Sequence, residues 1–161
     1  MLARACRSRG VRGRQRPPEH GQYPSLHDRA LWLYYAVLGM GPAYRDVERR
    51  GLFTLEQHLA HHAEVLVGDT VTVHCRSLKR TDKLLHGMSF LINATRGEVA
   101  NSLEFVLAHV DLETRRVIPF GDDVAGSLDA AGSLDAEIER HDRLGWTASI
   151  SRLLRIGVPG R

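Results

Sequence analysis

Glu56 and His58 stand two residues apart in the run Phe53-Thr54-Leu55-Glu56-Gln57-His58. On an extended strand that spacing puts both side chains on one face. A carboxylate beside an imidazole can take a proton from water, so the pair is a candidate general base, with Glu56 and His58 as the candidate catalytic residues. The competing reading is a polar strand face at a solvent or dimer surface. His61 and His62 follow closely. On a helix, spacings of three and four would bring them together with His58 as metal ligands. On a strand His61 points away from the other two, and no Cys or nearby Asp completes a set. The expectation is no metal and no cofactor. Arg76, Arg80 and Lys83 form the only basic cluster of the body outside turns and ends. They are candidates for holding phosphate groups, with a solvated turn as the alternative. His74, His86 and His109 fall in strand-like runs and are expected to be structural. Cys75 alternates with Val71 and Val73, the pattern of a small buried residue.

Local elements must position these groups. Ser25 can cap a helix with Asp28 in its first turn. Ala30, Leu31, Tyr34, Tyr35, Val37 and Leu38 form an apolar stripe at helical spacing, ended by Gly39, Gly41 and Pro42. Ala43–Arg50 can add a short helical turn, stopped by Gly51. Phe53–Val67 carries two signals. Thr54 and Gln57 fit a capping box. Alternation instead puts Phe53, Leu55, Leu59, Ala63, Val65 and Val67 on one side of a strand. Gly68-Asp69 reads as a hairpin turn, and Thr70–Ser77, Leu84–Asn93 and Glu98–Val110 read as strands. With those partners available, 53–67 is assigned as a strand too, completing a four-strand antiparallel meander. After Pro119 the chain turns polar. The hexapeptide Ala-Gly-Ser-Leu-Asp-Ala occurs twice in succession at 125–136. Two copies are too few for a solenoid, so the repeat is expected in a surface segment, followed by a short helix at Ala136–Arg143.

The chain has 161 residues, enough for one domain with tails and a core that needs no disulfides. Its net charge of +3 is unevenly spread. Residues 1–16 hold six Arg and no acid; removing those six from the 22 basic residues leaves 16 against 19 acidic ones, a net of −3. A basic tail could attract nucleic acid electrostatically, but it lacks interleaved aromatics and a folded reader, so nucleic acid is not the expected partner. No apolar run approaches the ~20 residues that cross a bilayer, so no membrane is expected either. Two Cys form no disulfide framework, which suits a cytoplasmic protein.

One helix followed by an antiparallel meander is an α+β arrangement. At this length it resembles the hotdog fold, one central helix wrapped by an antiparallel sheet. Phe53-Thr54-Leu55-Glu56-Gln57-His58, then Glu64 and Gly68-Asp69, resemble the second strand and turn of the acyl-CoA thioesterase family. Asp82-Lys83-Leu84-Leu85-His86 resembles its next strand start, although Leu84 stands where a second basic residue is common. Ala100, Glu104 and Ala108-His109-Val110-Asp111, then Arg115 and Pro119, resemble its last strand and exit. The pattern is similar to the betainyl-CoA and carnitine-type branch. It implies a hotdog domain over residues 26–122, an Arg-rich disordered tail at 1–25 and a C-terminal extension at 123–161. It further implies hydrolysis of an acyl-CoA to a free acid and CoA, and a homodimer or higher homo-oligomer with the site between subunits. The acyl group is small and cationic by this resemblance alone. Tyr23 and His27 look family-like and join Arg76, Arg80 and Lys83 as the implied substrate-binding set, the basic residues for CoA phosphates. The other readings are a catalytically impaired hotdog domain that binds acyl-CoA or a protein, and a basic-tailed nucleic-acid binder.

The family keeps a first strand, an acidic residue and Gly-His-x-Asn ahead of the helix. Here that stretch reads Arg16-Pro17-Pro18-Glu19-His20-Gly21-Gln22-Tyr23, so the first strand is expected to be missing or disordered. Synonymous codons for Gly13–Gln22 can be chosen so that the next reading frame encodes Val-Asp-Ser-Gly-His-Leu-Asn-Thr-Ala. The expectation is a frame-shifted stretch, which the coding DNA tests directly.

Overall fold

The computed structural model of the chain describes residues 22–141, and side chains through residue 133. In chain order the elements are α1 (Gln22–Val37), α2 (Pro42–Asp46), β1 (Arg50–His61), β2 (Val71–Arg80), β3 (Leu84–Asn93), β4 (Glu98–Asp111), β5 (Arg116–Val117) and α3 (Asp122–His141). The main strands pair antiparallel in the order β1-β4-β3-β2, and β5 adds to β4. The tail and first-strand readings fall on residues 1–21, outside the described residues, as does the proposed frame shift up to Gly21. Residues 22–25 belong to α1.

The helix exists because every fourth residue finds the sheet. Tyr23, His27, Leu31 and Tyr35 are its buried positions, the i, i+4 stripe of an amphipathic helix. The stripe runs two turns further toward the N-terminus than the apolar pattern suggests, because His27 occupies one of its places. Ser25 is therefore inside the helix, no acidic residue lies in the first turn, and Val37 is exposed. Gly39 ends the helix at φ +96°, while the Leu38 and Met40 N–H groups close on the Tyr35 carbonyl.

The core is the space between α1 and the sheet. Leu31 and Tyr35 meet Leu85, Leu103, Phe105 and Leu107 there, with Met40 and Tyr44 at the edge. Each fully buried large apolar side chain contributes about 1.5–3 kcal/mol. Gly87 leaves room for the tip of the Phe105 ring against β3: a Cβ there would stand 2.6 Å from the ring and 2.7 Å from the Arg76 carbonyl.

Two expectations change. Strand β1 begins at Arg50, including Gly51, and ends at His61 rather than Val67; the helical turn before it stops at Asp46. Its register with β4 shifts between Thr54 and Glu56. This bulge reverses which alternate positions face the helix. Phe53 pairs with Ala108, while Leu59 pairs with Leu103 and packs with the core cluster. The second change is α3. The hexapeptide repeat sits inside one helix, and its Val124 and Leu128 are buried in the same core as α1. Burial at i, i+4 outweighs the helix cost of Gly126 and Gly132. No helix among the described residues is long and apolar enough to cross a membrane.

Candidate functional site

Alternation along β4 divides the chemistry between two faces. Asn101, Leu103, Phe105, Leu107 and His109 face α1; Ser102, Glu104, Val106 and Ala108 face away.

On the α1 side, His27 is fully buried, yet both ring nitrogens are occupied. Nδ1 lies 2.6 Å from Ser89 Oγ and Nε2 lies 2.6 Å from Asn101 Oδ1. An amide oxygen only accepts, so His27 Nε2 carries the proton. Burial pushes the His27 pKa below its usual 6.5, against the opposing pull of Asn101 and Asp28, so the ring is neutral and its Nδ1 accepts from the Ser89 hydroxyl. Cys75 Sγ donates to Ser89 Oγ at 3.8 Å. At the other end Asn101 Nδ2 donates to His61 Nδ1 at 3.1 Å. The chain of donors thus runs Cys75, Ser89, His27, Asn101, His61. Ser89 and Asn101 are fully buried; His61, the last residue of β1, is exposed. Tyr23 packs edge-on against the His61 ring at 5.3 Å.

On the opposite face, His86 Nε2 donates to Glu104 Oε1 at 2.8 Å, both side chains nearly dry. His58 stands in register with Glu104, and Glu56 with Val106. Glu56 and His58 therefore share a face, and it is the face turned from His27. His62 Nε2 bonds Ser102 Oγ at 2.8 Å. His58 and His61 lie on opposite sides of the sheet, and among the described residues no group of three His, Cys, Asp or Glu could hold a metal ion.

The five implied substrate-binding residues do not converge. Tyr23 and His27 are on the buried face of α1. Arg76 lies on the outer face with its guanidinium 5.4 Å from the Phe90 ring centroid. Arg80 pairs through two nitrogens with Asp129 of α3. Lys83 sits in the turn after β2, where its carbonyl accepts from the His109 N–H. Turn and ion pair separate a basic cluster that looked continuous in sequence.

Ser89 and Asn101 escaped the sequence reading. Their signal was a polar residue inside an otherwise apolar buried strand, as in Met88-Ser89-Phe90. His27 had a clearer one: it stands four residues before Leu31 and four after Tyr23.

Residues 19–128 match the family model described as the thioesterase-like superfamily. The chain belongs to that superfamily. Members named thioesterase hydrolyse acyl-CoA thioesters, and that general chemistry is what the family supports here. A betainyl-CoA thioesterase of Pseudomonas aeruginosa is 32% identical over 124 residues, covering 77% of this chain and 73% of the relative. A Staphylococcus aureus protein solved in complex with CoA matches with a TM-score of 0.71 at 20% identity, covering 83% of this chain and 87% of that one. A Thermus thermophilus thioesterase complexed with coenzyme A and Zn matches at 0.63, again 20% identical, over 80% and 93% of the two chains. This superfamily member takes the hotdog fold, an α+β layer of antiparallel sheet around one helix.

Proposed function

We propose that the chain hydrolyses acyl-CoA thioesters with small, cationic acyl groups at the α1 side of its sheet, releasing a free acid and CoA. The observation that carries the site is the oriented hydrogen-bond chain beneath α1, which reaches exposed His61. The acyl preference is supported by the betainyl-CoA thioesterase relative. The CoA-complexed neighbours support a CoA thioester as partner. Among the described residues β1 and β2 are the outer strands of the sheet, and an open edge invites pairing with a second copy, which supports a homodimer or higher homo-oligomer. Cytoplasmic location fits the sparse use of Cys, two in the chain. Lys83 is retained as a phosphate contact; Arg80 would first have to leave Asp129.

The test is release of free CoA thiol from a panel of acyl-CoAs, followed with a thiol reagent. Betainyl-CoA is expected to turn over fastest. Absence of turnover, with a CoA-dependent rise in Tm, would favour an impaired domain that only binds.

A second reading puts the chemistry on the outer face, with Glu56 as base and His58 beside it. It is favoured by the row formed by His58, Glu104 and His86. One substitution separates the two. Glu56→Gln should leave turnover within a few-fold if the α1 side acts, and lower kcat roughly 10²- to 10⁴-fold if the outer face does.

A further inference from the structure

We propose that His27 is a positioning residue which, through Asn101, holds His61 as an Nε2–H donor aimed at the thioester carbonyl oxygen. The proposal rests on hydrolysis at the α1 side, and its first measurement does not need activity.

Ser89, His27 and Asn101 stand in the order of nucleophile, base and orienting group. They cannot serve as such, because Ser89 is fully buried and no acyl carbon reaches its Oγ. From Asn101 the chain leads outward to His61. Asn101 has one amide with two distinct ends. Its Oδ1 is held by the His27 Nε2–H, which turns Nδ2 toward His61. An N–H donor facing His61 Nδ1 requires that nitrogen to be an acceptor. Neutral His61 then carries its proton on Nε2. The edge contact with Tyr23 supplies a second restraint on the ring. Without His27 the Asn101 amide could rotate, offer Oδ1 to His61 and draw the proton to Nδ1, leaving Nε2 an acceptor. His27 thus selects the tautomer of a residue it does not touch.

A neutral imidazole N–H that donates to the carbonyl oxygen stabilises the charge developing there as water attacks. The water oxygen bonds to the acyl carbon and the carbonyl π pair moves to oxygen. That pair returns as the C–S bond breaks, and the sulfur leaves with the bonding electrons. One water proton ends on the CoA sulfur and the other on the product acid, which ionises; nothing is oxidised or reduced. A fully satisfied polar network in a helix stripe otherwise filled by Tyr23, Leu31 and Tyr35 gains little stability over an apolar filling, but it fixes geometry.

The experiment uses the full chain with ¹⁵N-labelled histidine. Long-range ¹H–¹⁵N spectra at pH 8 should show His61 as the Nε2–H tautomer, and His27→Phe should shift it toward Nδ1–H. With betainyl-CoA, His27→Phe should lower kcat per folded molecule roughly 10- to 100-fold with KM within about twofold, and His61→Phe roughly 10²-fold. His109→Leu, which lies outside the hydrogen-bond chain and leaves the His27–Asn101 bond in place, should retain both the tautomer and kcat per folded molecule. A wild-type His61 in the Nδ1–H form overturns the proposal. So does His27→Phe that loses only Tm while tautomer and kcat stay unchanged. Should His27→Phe not fold, His61→Phe at its exposed position decides, and unchanged kcat there overturns it. A wild-type chain inert toward every acyl-CoA removes the hydrolysis reading, and with it the role of His61, even if the tautomer is as expected.

Discussion

His27 on α1 and His109 on β4 are both fully buried on the same side of the sheet, and their hydrogen bonds lead to different places. His27 passes its hydrogen bonding to side chains, through Asn101 to exposed His61. His109 passes its own to the backbone. Its Nδ1–H donates to the carbonyls of Ile118 and Pro119 at 3.1 and 3.0 Å, so its Nε2 accepts from the Tyr44 hydroxyl at 2.5 Å. Its ring stacks on Phe120 at 4.6 Å. The two rings therefore carry their protons on opposite nitrogens. A buried histidine that terminates in carbonyls is a clasp: it ties α2 and the approach to α3 onto β4. One that leads to a surface side chain can orient chemistry. Burial alone does not tell the two apart; following the donors to the end of the chain does.

The largest expected effect tests the clasp. His109→Leu removes the acceptor of Tyr44 and the donor of two carbonyls, and abandons the stack on Phe120. Each buried polar group left unsatisfied costs about 1–3 kcal/mol, so the loss should be about 3 kcal/mol in urea unfolding. Turnover per folded molecule should not change. If kcat fell as far as in His27→Phe, the distinction between the two histidines would fail.

Much of the scaffold was legible in the sequence. Strand β3 runs over Leu84–Asn93 as its apolar content and flanking turns predict, and the partnership of four strands correctly outweighed the capping-box signal in β1. The faces of β1 were half legible, because one bulge between Thr54 and Glu56 inverts the alternation and no residue type announces it. Helix α3 was hidden by two glycines in a polar repeat, since only tertiary contact reveals that Val124 and Leu128 share a buried side. Glu56 and His58 share a face, as their spacing requires. What spacing cannot supply is which face, or that His27 finds partners 62 and 74 residues away. Side chains that far apart in sequence meet only once the sheet register is set.

A smaller, graded effect follows from acid. Burial holds both His27 and His109 below the ordinary 6.5. The unfolded chain takes up protons near that value and the folded one resists them. The folded state thus keeps its full advantage above the unfolded value and loses it progressively as pH falls through it toward the lowered folded value. The urea midpoint should fall as pH drops from about 7.5 to about 5.5, about one unit either side of the ordinary histidine value. The same titration of His109→Leu should show a shallower decline, because one of the two buried rings no longer contributes. An unaltered slope would mean that His109 is not held neutral by its site.

The smallest effect lies at the inner end of the His27 chain. The Cys75 thiol is a weak donor, 3.8 Å from Ser89 Oγ, in a side chain packed only partly against the core. Cys75→Ala removes that donor but leaves Ser89 donating to His27, His27 to Asn101 and Asn101 to His61. Direction in the chain is set downstream, by the amide oxygen of Asn101 that can only accept. Stability should therefore fall by less than about 1 kcal/mol, and the His61 tautomer should stay as it is. If the tautomer moved with Cys75, the proton order would be set from the buried end. His27 would then be one link among equals rather than the residue that selects.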